Sequence, residues 1–203
     1  MSAELHLALI ERTAAAIAAH AEELTRLDQA IGDGDHGVNM RRGFEAIAAD
    51  RETIAALAPG DALQKAGMTL VMKVGGASGL LYGSLLMGMA KAAKAGEPLA
   101  AQLSAGIALV MQRGKADVGA KTMLDVLVPV RDALERHADA APKEALAVVR
   151  ATADEAREAT RDMLATRGRA SFLGERSRGH YDPGATSSQL LIHAVCDVLE
   201  ARA

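Results

Sequence analysis

Residues 28–39 read DQAIGDGDHGVN and lie where one alanine- and leucine-rich segment gives way to another. The carboxylates of Asp28, Asp33 and Asp35 are crowded into this stretch together with glycines. Such close carboxylates repel one another unless a cation neutralises them, and their hard oxygens suit Mg²⁺ together with substrate phosphates. Glycines let a loop fold tightly around ions and phosphate. The stretch therefore predicts a turn between two helices that binds a magnesium nucleotide.

Two other interpretations of this acidic stretch have to be weighed. Acidic glycine-rich turns are also common as solvated connectors, so the stretch alone does not establish a site. An EF-hand calcium loop does not fit. If the loop began at Asp33, Val38 would replace the invariant glycine and Phe44 would replace the bidentate glutamate. A phosphate site therefore needs support from the rest of the chain.

The composition of the 203 residues narrows the class of protein. Hydrophobic residues make up 50% and charged residues 24%, which argues against disorder, and the length is sufficient for a sizeable core. Aromatic residues are only 2% and the net charge is −3, so the chain lacks both the stacking platforms and the basic footprint of a nucleic-acid-binding protein. No signal peptide or bilayer-spanning run is evident. We expect a cytoplasmic protein that binds neither nucleic acid nor membrane.

The helix-forming composition and the spacing of breakers predict the fold. Alanine and leucine dominate, and β-branched residues do not alternate, which favours helices throughout. Glycine and proline divide the chain into about eight helical segments. In order, they span residues 4–30, 38–56, 61–74, 78–95, 98–113, 121–137, 142–166 and 183 onward. No linker or repeat separates them, so we expect a single all-α domain over residues 1–203, an antiparallel helical bundle or barrel.

Two further glycine-rich junctions precede predicted helices. Residues 74–79 (VGGASG) open a helix whose free amide groups suit phosphate, although this stretch taken alone favours a tight turn with an N-cap serine. Residues 113–122 (RGKADVGAKT) resemble a Walker A loop but fail it, because Ala120 separates Gly119 from Lys121. What remains is a helix N-terminus with a lysine and a hydroxyl, useful near anions, or an exposed charged turn.

The longest predicted non-helical stretch, residues 168–186, is the fourth junction. Connections this long in a compact domain are usually functional. Its arginines, Arg169, Arg176 and Arg178, offer planar donors to phosphate, and we expect one of them to be a direct ligand and the others to be solvated or paired. His36 and His180 are the histidines near the junctions. A phosphate hydrogen bond or a structural contact is favoured for them over a nucleophilic role.

Taken together, these stretches resemble the nucleotide-binding L subunits of dihydroxyacetone kinases. Essentially the whole chain is covered, in the family's order and spacing, by LDQAIGDGDHGVNMRRGF, GMTLVMKVGGASGLLYG, GKADVGAKTMLDVLVPV and GRASFLGERSRGHYDPGATS. Four motifs in register are far more specific than any one of them. The resemblance implies an eight-helix, up-and-down antiparallel barrel with the nucleotide capping one end.

The resemblance also implies roles for the residues that match the family's motifs. Asp28, Asp33 and Asp35 would hold two Mg²⁺ ions that bridge the phosphates of ADP or ATP. The residues implied to contact the nucleotide are His36, Gly37, Val38, Asn39, Ala77, Ser78, Gly119, Thr122, Met123, Arg176, Asp182, Pro183 and Gly184. No catalytic nucleophile is expected in this chain. Family members often carry Asp where this chain has Ala120, so no polar contact is expected from that side chain.

The implied partners follow from the same resemblance. A separate K subunit would hold dihydroxyacetone through its own histidine, and this chain would present the phosphoryl group. The long segment 169–184 favours slow nucleotide release, and hence bound ADP rephosphorylated by a phosphohistidine carrier of the phosphotransferase system. The alternatives are an ATP-consuming L subunit of a triose or tetrulose kinase and, in another class, a nucleotide-loaded coregulator of a transcription regulator. A fatty-acid kinase domain ranks low. The sugar and any homodimer stay open.

Overall fold

Helices are the only regular secondary structure in residues 2–202, the range described by this computed structural model, and no strand occurs there. The helices are α1 (Ala3–Ile31), α2 (His36–Ala49), α3 (Arg51–Ala55), α4 (Pro59–Lys73), α5 (Gly76–Lys94), α6 (Leu99–Gly114), α7 (Leu124–Arg136), α8 (Pro142–Ala159) and α9 (Pro183–Glu200). Short 3-10 turns occupy Thr160–Asp162 and Arg169–Ser177. None of the helices in this range is long and apolar enough to cross a membrane.

The structure confirms the all-α class and corrects several helix bounds. The predicted second helix begins at His36 and is interrupted at Asp50, where a non-helical ψ of 18° separates α2 from the short α3. Aspartate competes with the backbone for hydrogen bonds and is disfavoured inside helices. The predicted sixth helix starts at Leu124 because Lys121 is left-handed, with φ 62°. The predicted seventh ends at Ala159, since Met163 is already extended.

The eight long helices close into a ring. Within residues 2–202 each long helix packs against the next, α2 reaches α4 past the short α3, and α9 packs back against α1. The core is largely aliphatic. Its most deeply buried side chains include Ile17, Leu24, Met40, Leu70, Val110 and Val126. Short connections between sequential helices make neighbours antiparallel, as in up-and-down bundles.

Close helix contact in one wall of the ring depends on small residues in α5. A Cβ added to Gly88 would lie 2.5 Å from the Ala105 oxygen of α6, and one added to Gly83 would lie 2.8 Å from the Gly67 oxygen of α4. Side chains at these positions would separate the helices. The four-residue spacing of small residues in α5 is therefore a packing feature.

Alternate connections of an up-and-down ring lie at the same end. The α1–α2, α4–α5, α6–α7 and α8–α9 connections are the four glycine-rich junctions of the sequence. The fold therefore gathers all four at one end of the ring, which we call the junction end.

Candidate metal and phosphate site

An acidic cluster lies at the junction end, where α1 ends. One ligand atom from each of Asp28, Asp33 and Asp35 can be chosen so that all lie within 4.8 Å of one another. Asp28 is buried and the other two are exposed. Burial raises the pKa of Asp28, and the negative charges of Asp33 and Asp35 raise it further. Three hard oxygen donors on an open surface match what Mg²⁺ uses in protein sites, where it keeps waters and phosphates as its other ligands.

Asp28 also shapes the loop that carries the other two carboxylates. Its Oδ2 accepts hydrogen bonds from the amides of Asp35 at 2.8 Å and His36 at 3.0 Å, and its carbonyl oxygen accepts one from the Gly32 amide. A Cβ on Gly32 would lie 2.0 Å from Asp28 Oδ1. Only glycine fits at position 32 while Asp28 keeps these contacts. The hydrogen bonds from the loop amides to Asp28 therefore hold Asp33 and Asp35 close to it.

The N-terminus of α2 presents amide groups next to this cluster. The His36 amide is used by Asp28, whereas no acceptor within the described chain takes the amides of Gly37 and Val38. The positive end of a helix dipole with open N–H groups is a ready anion site. Gly37 is buried against α1, where a Cβ would lie 2.0 Å from the Ala21 oxygen. The close approach of α1 and α2 fixes this amide pair beside the carboxylates.

A second helix N-terminus, that of α5, faces the same place. The amides of Ala77 and Ser78 have no acceptor among residues 2–202. A Cβ on Gly76, the first residue of α5, would lie 3.6 Å from Asp35 Oδ2 and 3.8 Å from Asn39 Nδ2. Two helix N-termini and the acidic cluster therefore form one continuous site.

The His36 side chain makes a structural contact, one of the two roles that the sequence favoured for it. Its Nδ1 lies 2.9 Å from Ser78 Oγ and its Nε2 lies 2.9 Å from Ser187 Oγ. Burial lowers its pKa to about 4, so the ring is neutral at physiological pH. The Tyr82 hydroxyl continues the network to Ser187 at 2.7 Å and to Ser188. With both nitrogens occupied, the ring ties α2 to α5 and α9 and offers no free nitrogen to phosphate.

Lys121 contradicts the expectation that the third junction presents a lysine to anions. It is 1% exposed, and its Nζ donates to the carbonyl oxygens of Arg161 at 3.4 Å, Met163 at 3.2 Å and Ser177 at 2.5 Å. Burial lowers its pKa. Lys121 therefore fastens the α8–α9 connection to the α6–α7 connection and does not face a ligand.

Asp125 is a further organising residue that the sequence interpretation missed. Its carboxylate accepts hydrogen bonds from the amides of Gly119 at 2.5 Å and Thr122 at 2.7 Å. The pattern Thr122-x-x-Asp125 before an apolar run is the signature of a capping box and was available in the sequence.

An open cavity of about 350 Å³ adjoins this turn, lined by residues 115–120 with Thr166 and Arg167. Gly119 therefore borders a cavity, whereas Met123 is buried in the core.

The three arginines of the fourth junction have three different environments. Arg169 Nε lies 2.6 Å from Asp33 Oδ2, at the acidic cluster. Arg178 pairs with Glu175 at 2.8 Å and donates to the Asp162 carbonyl oxygen. Arg176 is exposed and forms no ion pair within residues 2–202. The structure thus brings Arg169 to the carboxylates and leaves Arg176 free to meet a ligand.

Asp182, Pro183 and Gly184 form the start of α9. Asp182 is buried and caps the helix, its Oδ2 accepting from the Ala185 amide at 2.7 Å. A Cβ on Gly184 would lie 3.4 Å from the Met123 amide nitrogen, so the starts of α9 and α7 are packed together. The Asp182 carboxylate is thus occupied by a structural contact.

The burial of Asp182 predicts a pH-dependent stability. Burial, reinforced by the charge of Asp125, raises the pKa of Asp182 from 3.8 to about 7. The folded protein holds a proton that the unfolded chain releases, so the free energy of unfolding falls by about 1.4 kcal/mol per pH unit as pH rises between these two values. Asp182→Asn keeps the cap and removes the titration. Urea unfolding measures the free energy of unfolding of both proteins at pH 5 and at pH 8. The difference, variant minus wild type, should be larger at pH 8 than at pH 5 by on the order of 3 kcal/mol. The same pH dependence in variant and wild type would contradict the assignment.

Comparisons with known proteins bear on this site. The DAK2 domain family matches residues 30–197. The chain is 45% identical over 181 residues to the ADP-binding subunit DhaL of PEP-dependent dihydroxyacetone kinase 1 from Listeria innocua, covering 85% of this chain and 84% of that protein. It is 43% identical over 178 residues to the corresponding subunit of the Escherichia coli PEP-dependent kinase, covering 84% and 85% of the two chains.

A solved structure shares the fold. The C. freundii dihydroxyacetone kinase, in a crystal structure with AMP-PNP and Mg²⁺, superposes with a TM-score of 0.78 at 24% identity. The match covers 96% of this chain and 34% of that chain. At this identity the likeness establishes the helical architecture alone.

Proposed function

The chain belongs to the DAK2 domain family, and from that membership we propose that it is the ADP-binding subunit of a two-component dihydroxyacetone kinase. A separate K subunit holds dihydroxyacetone, and this chain presents the phosphoryl group to it. The names of the Listeria innocua and Escherichia coli relatives support this assignment. The match also covers 84% and 85% of these two relatives.

The observation that carries the proposal is the convergence of three carboxylates with two open helix N-termini. Asp28, Asp33 and Asp35 supply hard oxygens for two Mg²⁺ ions. The phosphates lie against the amides of α2 and α5, presented by Gly37, Val38, Ala77 and Ser78. Asn39, whose side chain lies near Gly75 and Gly76, completes this wall.

The nucleoside is proposed to occupy the cavity beside Gly119. Thr122 and Met123, which follow the lining residues in the chain, would contact the nucleoside from one side, and Arg176 and the start of α9 would close over it. The volume of about 350 Å³ suits a nucleoside-sized ligand, and the backbone of the turn is fixed by Asp125. Arg176 is exposed and has no ion pair among the described residues, so its charge is available to a ligand.

The chain contributes positioning and electrostatics to the reaction. Bound Mg²⁺ supplies neutralisation of the phosphate charge. The helix N-termini orient the terminal phosphoryl group toward solvent, where the sugar hydroxyl on the K subunit meets it in line. His36 is not a phosphoryl carrier in this scheme, because both ring nitrogens already have hydroxyl partners. Preorganised donors of this kind lower the barrier without a nucleophile.

The phosphoryl donor is proposed to be a phosphohistidine carrier charged from phosphoenolpyruvate, which rephosphorylates ADP in place. Both relatives are named PEP-dependent. The α8–α9 connection is fastened by Lys121 and reaches Asp33 through Arg169, a geometry suited to retaining a nucleotide. The carrier and the K subunit are then the partners, in the cytoplasm. A transcription regulator would be a further partner of the same surface.

The test is reconstitution with purified components. This chain alone, given dihydroxyacetone and ATP, is expected to form no triose phosphate. Addition of a K subunit, phosphoenolpyruvate and the carrier proteins should give sustained turnover with one ADP retained per chain through gel filtration. The measurement is a coupled triose phosphate assay, and erythrulose offered in parallel tests the tetrulose alternative.

Three results would contradict parts of this proposal. Turnover by the single chain would remove the need for a K subunit. Loss of the bound nucleotide within seconds, with multiple turnovers on free ATP, would show that ATP and not the carrier is the phosphoryl donor. Binding of a transcription regulator without any kinase activity would favour the coregulator.

A further inference from the structure

Phe172 is the most exposed large hydrophobic side chain in the described chain, at 87%. The sequence has only two phenylalanines, and the other, Phe44, is 7% exposed in the core. Single exposed hydrophobic residues are common and need no explanation by themselves. What distinguishes Phe172 is how it is held and what lies next to it.

The backbone around Phe172 is anchored from within. It belongs to the 3-10 turn Arg169–Ser177, whose Ala170 and Leu173 pack against Ile31 and Ala165. Residues three apart share a face in a 3-10 helix, so Ala170 and Leu173 take the inward positions. Phe172, between them, therefore points outward because its neighbours already fill the space beneath the turn.

A kink at Gly174, with φ 56°, divides this segment, and the half that follows the kink is fixed as well. The Ser177 carbonyl oxygen accepts from Lys121, and Ser177 Oγ accepts from the Ala165 amide at 3.0 Å. Ser177 is fully buried. A rigidly presented aromatic side chain loses little conformational entropy when a partner covers it.

The turn stands at the acidic cluster. Arg169, three residues before Phe172, has its Nε 2.6 Å from Asp33 Oδ2. Three residues of 3-10 helix advance by only about 6 Å. Phe172 thus lies on the rim of the site at which the phosphoryl group is proposed to leave the chain.

We propose that Phe172 is the anchor by which the dihydroxyacetone-holding K subunit docks on this chain. This inference rests on the proposed function. Transfer between two proteins requires the acceptor oxygen to come within about 3–3.5 Å of the phosphoryl group. A protein surface that approaches Asp33 so closely must cover the adjoining turn. Interface hot spots are enriched in aromatic side chains that enter a pocket on the partner, with charged residues at the rim.

The surroundings of Phe172 fit that arrangement. Arg169 and Arg176 belong to the same segment and are exposed. Arg169 pairs with the Asp33 carboxylate, and Arg176 is proposed to meet phosphate. A phenyl ring adds nothing to phosphate binding. Its remaining uses are burial in a partner or stacking on the nucleotide base, and these two differ in whether ADP affinity depends on it.

The experiment compares Phe172→Ala with Leu99→Ala. Leu99 is 46% exposed at the start of α6, at the end of the ring opposite the junction end, and is the matched control. Both side chains are largely outside the core, so both variants should fold. We measure the K-subunit concentration that gives half-maximal turnover, the rate at saturating K subunit, and ADP affinity by calorimetry with Mg²⁺.

Phe172→Ala is expected to raise the half-maximal K-subunit concentration by about tenfold or more, with the saturated rate and ADP affinity unchanged. Leu99→Ala should match wild type. An unchanged K-subunit requirement in Phe172→Ala would overturn the inference, and so would weakened ADP affinity, which would mark Phe172 as a base-stacking residue. Failure of the proposed function can be distinguished from failure of this inference, because wild type itself would then show no turnover with the K subunit.

Discussion

Replacing Asp33 or Asp35 with alanine is expected to weaken ADP binding in the presence of Mg²⁺ by at least about tenfold, equivalent to ~1.4 kcal/mol. Each change removes one of the three carboxylates that converge within 4.8 Å. The phosphates and the remaining carboxylates would then repel one another with fewer metal–ligand bonds between them. Calorimetric titration with ADP measures the effect, and turnover with the K subunit should fall with it.

The two substitutions are not equivalent. Asp33→Ala also frees Arg169, whose guanidinium can then compensate by meeting phosphate directly. Asp35→Ala is therefore the cleaner measurement. Asp139→Ala is the control, since it removes an exposed carboxylate from the α7–α8 connection at the other end of the ring.

Removing divalent cations with EDTA distinguishes a metal-binding site from an acidic loop that binds no metal. Wild type in EDTA should lose ADP binding, and the two cluster variants should then differ little from it. Equal ADP affinity with and without EDTA would show that no divalent cation participates. A loss shared by Asp139→Ala would show that net charge, and not the cluster, controls binding.

The architecture was predictable because it depends on local signals. Alanine and leucine without alternation predict helices, and the glycines at 32–37 and 75–76 end or begin them at the right places. Short connections then place every second junction at the same end of the ring. The convergence of Asp28, Asp33 and Asp35 could be expected from sequence for the same reason, since these residues lie within one junction; their binding of metal and phosphate stays a prediction.

The roles of His36 and Lys121 could not be predicted from local pattern. His36 is bonded to Ser78 and Ser187, residues 42 and 151 positions away. Lys121 is bonded to carbonyl oxygens 40 to 56 positions along the chain. A histidine or lysine beside glycines looks like an anion ligand until the fold shows which distant acceptors surround it. Asp125 is different, because its capping-box spacing was visible in the sequence.

Lys121→Met is the second substitution for which we expect a large effect, a loss of on the order of 3 kcal/mol in the free energy of unfolding. Methionine has a similar length and tolerates a buried position, but it has no donor for the carbonyl oxygens of Met163 and Ser177. The Arg161 oxygen, the most distant of the three, keeps its hydrogen bond from the Gly179 amide at 2.8 Å. Buried acceptors left without a donor are costly. Urea unfolding followed by circular dichroism measures the loss.

The same substitution should loosen the α8–α9 connection before the whole fold unfolds. That connection carries exposed Arg167, Arg169, Arg176 and Arg178, all cleavage sites for trypsin. Under native conditions Lys121→Met should be cut there faster than wild type, because local opening of the connection no longer has to break the lysine's hydrogen bonds. Bound ADP should dissociate faster as well.

Lys115→Met is the matched control for stability and cleavage, but not for ADP dissociation, because Lys115 lines the cavity assigned to the nucleoside. Lys115 precedes the same turn and is likewise left-handed, with φ 48° against 62° for Lys121, yet its side chain is exposed. Both variants therefore impose the same backbone strain and remove the same charge, and only one removes the buried donor. Lys115→Met should stay within about 0.5 kcal/mol of wild type. Equal stability of the two variants would show that the three carbonyl contacts contribute nothing. Destabilisation of Lys121→Met without faster cleavage at the four arginines would show that the lysine supports the core and not the connection over the nucleotide site.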